Sequence, residues 1–136
     1  MERDRKAEKL TFWHALQSER DRSREALPYQ HRVYSYVDRG FYVAQIRRLW
    51  NYFGKQRVLI LRNEDLRTRP QQTIDSVFDF LEVEGPRHIE PISAHTRPYT
   101  SQMTAREKAY LLHVYEYEIR ALERMLGWNC STWLGV

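Results

Sequence analysis

Apolar positions recur at helical spacing along most of the chain. Phe12, Ala15 and Leu16, with Glu19 on a related face, follow Thr11, a residue suited to cap a helix. That pattern runs to about Glu25, and Pro28 ends it. Val43, Ile46, Trp50 and Phe53 fall at spacings of three, four and three, which predicts a helix over about Phe41 to Phe53 closed by Gly54. Ile74, Val77, Phe78 and Leu81 form a stripe behind Pro70, which suits the first helical position. The clearest helix begins at Thr104-Ala-Arg-Glu107, a capping box. Leu112, Tyr115, Ile119, Leu122 and Leu126 then repeat at three- and four-residue spacings, and Gly127 closes the helix. HRVYSYVD (31–38) reads as a short helix or turn, and residues 83–103, with Gly85, Pro86, Pro91 and Pro98, as an irregular loop. Trp128 and Trp133 are expected to hold down the tail WNCSTWL.

One stretch breaks the helical rhythm. Between Arg57 and Arg62, Val58, Leu59, Ile60 and Leu61 follow one another without alternation, which predicts a strand covered on both faces. Such a strand needs hydrogen-bonded neighbours, because unpaired buried backbone groups are costly. No second convincing strand is present; HIEPIS (88–93) is short and interrupted by Pro91. The neighbours come either from another copy of the chain or from a larger α/β domain of which this sequence is a part, and the second is simpler. The expected fold class is therefore α/β, mostly helical, with one buried strand at about 57–62.

Composition changes this picture little. A mean hydropathy of -0.73 and the lack of a long apolar stretch leave no candidate transmembrane helix. The opening residues, MERDRKAEKL, hold no apolar signal segment, and the single cysteine, Cys130, permits no internal disulfide or Cys-based metal site. Both features fit a cytoplasmic setting. Charge matters more. Residues 39–69 hold Arg39, Arg47, Arg48, Lys55, Arg57, Arg62, Arg67 and Arg69 against Glu64 and Asp65, so an anionic partner and a solvated arginine-rich surface are both open readings.

None of the five glycines belongs to a phosphate-binding GxxxxGK[ST] or GxGxxG loop, no HExxH is present, and the five histidines are scattered. No metal site is expected. Glu64 and Asp65 lie just beyond the predicted strand, where α/β folds place ligands. The structural alternative, in which Asp65 or Asn63 caps a turn and Glu64 pairs with an arginine, is favoured because no nucleophile or base partner stands nearby in sequence. Tyr34, Tyr36, Arg39 and Tyr42 cluster around Gly40, where they could stack on a base, grip an anion or pack between helices. His95-Thr96-Arg97-Pro98-Tyr99 lies in the long loop, with Arg97 the residue best suited to a phosphate.

The order of these features resembles the C-terminal half of sulfotransferases that use 3′-phosphoadenylyl sulfate (PAPS), closest to the bacterial and heparan-sulfate-type branch. The resemblance rests on Tyr36, Arg39-Gly40, Tyr42, Trp50 and Phe53, then Glu64-Asp65-Leu66, Pro70 and Phe80-Leu81, with "RPYTSQMTAREKAYL" and "IRALERMLGWNCSTWL" after them. It extends from about Leu10 to Leu134, and no single motif in it is diagnostic. It implies a P-loop-like α/β domain that transfers a sulfuryl group from PAPS to a hydroxyl or amine. His95, Thr96, Arg97 and Tyr99 would then bind PAPS or 3′,5′-ADP, and Tyr36, Arg39, Tyr42 and Glu64 the acceptor, a small molecule or a glycan.

The resemblance also implies an N-terminal strand-loop-helix with a catalytic lysine, which this sequence does not contain; Lys6, Lys9, Lys55 and Lys108 sit in no phosphate loop. The chain is thus expected to be a single partial domain over 1–136, incomplete as a catalyst alone. It would depend on a chain supplying the P-loop half or on self-association. Arg69 stands where the family usually has an acidic N-cap before the proline, which should weaken that helix start. The rival expectation is a non-catalytic basic helical module that binds an acidic partner. A nucleic-acid ligand fits less well, because no recognition-helix or RNA-binding motif is present.

Overall fold

Local signals set the helices. In the computed structural model, which describes residues 8–28, 31, 33–86, 88–90 and 101–135, six α-helices appear. They are α1 (Phe12–Arg24), α2 (Tyr42–Phe53), α3 (Asn63–Thr68), α4 (Pro70–Leu81), α5 (Ala105–Leu126) and α6 (Ser131–Leu134). Thr11 caps α1 by accepting the His14 N–H, and Thr104 and Glu107 complete both arms of the capping box of α5. Gly127 ends α5 at φ 68°, a left-handed conformation that disfavours side chains bearing a Cβ. No helix is long and apolar enough to cross a membrane among the described residues.

The chain forms two compact units, Met1–Arg47 with Ser101–Val136, and Arg48–Thr100; the boundary falls within α2. Among the described residues, the buried apolar side chains belong to the first unit: Ala15 and Leu16 from α1, Val43 and Ile46 from α2, Ile119 and Leu122 from α5, and Cys130. Burying one of the larger of these contributes about 1.5–3 kcal/mol. Trp13 of α1 meets Tyr110 of α5 edge to face at 5.5 Å, and Arg106 stacks on Trp13 at 3.8 Å. Cys130 is fully buried, and its N–H donates to Glu123 Oε1 at 3.0 Å, fastening the turn that leads into α6 against the end of α5.

The second unit is looser. Of the stripe predicted on α4, Ile74, Val77 and Phe78 are half-buried and Leu81 is exposed, while Thr73 is the buried residue. Gly85 lies against Phe78, so close that an added Cβ would stand 2.8 Å from its ring.

The predicted buried strand at 57–62 does not form. Arg57 ends a 3-10 turn (Lys55–Arg57); Val58 (φ -128°, ψ 107°) and Arg62, the residue that precedes α3, have extended backbone, and residues 59–61 between them belong to no regular element. No strand or sheet exists among the described residues. Nor is the segment covered on both faces: Val58 and Ile60 are half-buried, while Leu59 and Leu61 are 36% and 44% exposed. The reason is physical. A strand is made by a ladder of hydrogen bonds to a neighbour, and the described chain supplies none. The α/β expectation is thereby corrected to a mostly helical fold.

Candidate functional site

The segment from Tyr36 to Val43 is positioned by three carboxylates, and this fixes where its candidate residues point. Glu19 of α1 is 6% exposed. Its Oε2 accepts the N–H groups of Tyr36 at 2.9 Å and Val37 at 2.7 Å, and its Oε1 accepts that of Asp38 at 2.8 Å. Three successive backbone donors on one carboxylate are charge-assisted bonds, and they satisfy a buried charge that would otherwise be costly. Glu118 of α5 accepts the Val43 N–H at 2.6 Å and so caps the first turn of α2. Tyr115 of α5 donates its hydroxyl to the Val37 carbonyl at 2.6 Å, and burial pushes that hydroxyl up to about 12. Gly40 packs against the same tyrosine; an added Cβ would lie 2.5 Å from its hydroxyl oxygen.

The third carboxylate is Glu8. Arg22 donates to it through Nη1 at 2.6 Å and Nη2 at 3.3 Å, the Leu10 N–H at 2.8 Å, and the Tyr36 hydroxyl at 2.8 Å. Desolvation alone would raise the Glu8 carboxyl, but the Arg22 guanidinium, helped by the other donors, overrides it and holds the carboxyl at about 2. Burial, reinforced by Glu8, raises the Tyr36 phenol to about 12. Arg22 also lies over the Tyr34 ring at 4.3 Å.

Beside this framework is a cavity of about 500 Å³ lined by residues that include Leu16, Ser23, Val37, Asp38, Phe41 and Tyr110. The Ser23 hydroxyl is buried without a partner among the described residues. The described residues gather no group of three or more His, Cys, Asp or Glu that could hold a metal ion.

Tyr36, Arg39 and Tyr42, predicted to face the acceptor, all lie on this braced segment of the first unit. Tyr36 is half-buried with its hydroxyl committed to Glu8, whereas Arg39 and Tyr42 are exposed, Arg39 in the 3-10 turn Asp38–Gly40 and Tyr42 at the start of α2. Glu64 belongs to the second unit, where it is exposed on α3 and its carbonyl accepts the Thr68 hydroxyl at 2.7 Å. Asp65 takes a structural part: it accepts from Arg62 Nε at 2.8 Å and from Arg69, and those two arginines hold its carboxyl below the usual range. His95, Thr96, Arg97 and Tyr99 lie outside the described residues.

Sequence reasoning missed the bracing roles of Glu8, Arg22 and Glu118. For Glu19 a signal existed, since a carboxylate on the same helical face as Ala15 and Leu16 needs a buried partner. No curated protein and no solved structure matches the chain. The sulfotransferase domain family does match, over residues 6–116, a span that takes in α1 to α4 and half of α5. The chain belongs to the sulfotransferase domain family.

Proposed function

We propose that the chain serves in sulfuryl transfer from PAPS to a hydroxyl or amine acceptor, with the phosphosulfate-binding loop supplied by residues outside this sequence. The observation that carries this reading is the family match across residues 6–116. A sulfuryl group in flight, like a phosphoryl group, needs cations placed at the oxygens that gain charge. The sequence offers arginines for this but no glycine-rich loop with a lysine. In this reading His95, Thr96, Arg97 and Tyr99 meet the 3′-phosphate end of the nucleotide, Tyr36, Arg39 and Tyr42 the acceptor side, and a loop outside this sequence the sulfate. Tyr36 is then a buttress, because its hydroxyl is already engaged by Glu8.

Thermal unfolding with and without 3′,5′-ADP tests the reading. A ligand that binds only the native state stabilises it by about 2.7 kcal/mol at one hundred times its Kd. The expected result is a raised Tm with 3′,5′-ADP, little change with 5′-AMP, and loss of the rise in Arg97→Ala. An unmoved Tm at millimolar 3′,5′-ADP refutes it. A second reading, a non-catalytic module for an acidic partner, is favoured by the exposure of Arg47, Arg48, Lys55, Arg57, Arg67 and Arg69. It requires salt-sensitive polyanion binding with no preference for a 3′-phosphate.

A further inference from the structure

The cavity beside the braced segment draws its walls from α1, from residues between α1 and α2, and from α5, all of the first unit. At about 500 Å³ it has the size of a site for a small molecule. Leu16, Val37, Phe41 and Tyr110 give it an apolar interior. That wall is built in advance. Glu19 takes the Val37 N–H and Tyr115 donates to the Val37 carbonyl, while the Tyr110 ring rests against Trp13. A ligand that docks there meets groups already in position, which lowers the ordering cost of binding.

The polar groups of the lining decide what kind of molecule fits. Glu19 is already committed, since its oxygens take three backbone N–H groups. Three others have no partner among the described residues. The Ser23 hydroxyl is buried without a hydrogen bond, and the exposed side chains of Arg20 and Asp38 form no ion pair with each other or with any other described residue. The cavity thus offers one set of donors, the Arg20 guanidinium, and two acceptors, the Asp38 carboxylate and the Ser23 oxygen. A wholly apolar ligand would leave all three unmet, and a simple anion or cation would satisfy one charge and face the other. We propose that the cavity binds a small aromatic amino acid. Its ring lies among Leu16, Val37, Phe41 and Tyr110, its carboxylate meets Arg20, and its ammonium, with three hydrogens to donate, meets Asp38 and Ser23. This inference does not rest on the sulfuryl-transfer reading, and no nucleotide enters its test.

The test titrates the full, isotope-labelled chain by NMR with three compounds at low ionic strength. They are L-phenylalanine, phenethylamine, which lacks the carboxylate, and 3-phenylpropionate, which lacks the amine. L-Phenylalanine should bind saturably in the millimolar range and shift the amides of Val37, Asp38, Phe41 and Tyr110. The other two should bind about fivefold more weakly, because each lacks one charged contact. Two substitutions separate the ends of the ligand. Arg20→Gln should weaken L-phenylalanine and 3-phenylpropionate and leave phenethylamine unchanged. Asp38→Asn should weaken L-phenylalanine and phenethylamine and leave 3-phenylpropionate unchanged. Both side chains are exposed, so the variants should fold as the parent does, which an unshifted Tm verifies. No saturable shift at tens of millimolar L-phenylalanine, equal affinity for the three compounds, or shifts confined to the second unit overturns the proposal. So do variants that weaken all three compounds alike or none of them.

Discussion

Glu8 and Glu19 put two carboxylates to work on the same short stretch of chain. Glu19 gathers backbone N–H groups from residues 36–38, and Glu8 takes the Tyr36 hydroxyl while paired with Arg22. The partners themselves were not legible locally, because they lie 17 to 19 residues away for Glu19 and 28 for the Glu8–Tyr36 bond. Glu8 carries a pH consequence. Its folded-state carboxyl is depressed to about 2 from an ordinary value of 4.5. Stability from this group is therefore fully present above the ordinary value and is lost as pH falls through the folded one. Urea midpoints measured from pH 6 down to pH 2 should decline below about pH 5, and Glu8→Gln should flatten that decline. Asp65, Glu107 and Glu123, also held low by their partners, should leave a residual slope in the variant.

At the scale of the element, the two ends of α5 offer a controlled comparison. Thr104→Ala removes one arm of the capping box and should cost about 1 kcal/mol. Gly127→Ala meets no atom within 4 Å, so its cost, also about 1 kcal/mol, should come from the positive φ alone. With the sites at opposite ends of a 22-residue helix, the double variant should lose the sum of the two, as read from urea unfolding. The success of the sequence reading has the same origin. Caps, the proline at the head of α4 and the three-four spacing are contained within a few consecutive residues, so the helices could be read from one chain. The run at 58–61 could not, since apolarity shows that a segment prefers to be covered but not whether a neighbour exists to cover it. Its apolarity was legible; the absent ladder was not.

Across the whole molecule, burial is unequally shared. Among the described residues, the buried apolar ones belong to the first unit, and the second has half-buried contacts and the bonds among Arg62, Asp65 and Arg69. Hydrogen exchange should register this: amides of α1 and α5 are expected to exchange at least tenfold more slowly than those of α4, and those of residues 59–61 at nearly the rate of unstructured chain. Equal protection in α4 and α5 would contradict it. The family was legible in the order of residues from Tyr36 to Leu81, because such an order persists where no single motif does. Which residues touch a nucleotide depends on how distant segments meet, and no spacing rule encodes that.

The buried sulfur of Cys130 has a use beyond packing. The chain has one thiol, and its complete burial against the end of α5 keeps reagents from it while the C-terminal turn stays seated. A maleimide added to the native protein therefore labels only those molecules whose tail has momentarily lifted. The labelling rate is a running count of such openings, obtained without denaturant and without an engineered probe. Comparing that rate with the global unfolding rate separates fraying of the last turn from collapse of the helical core.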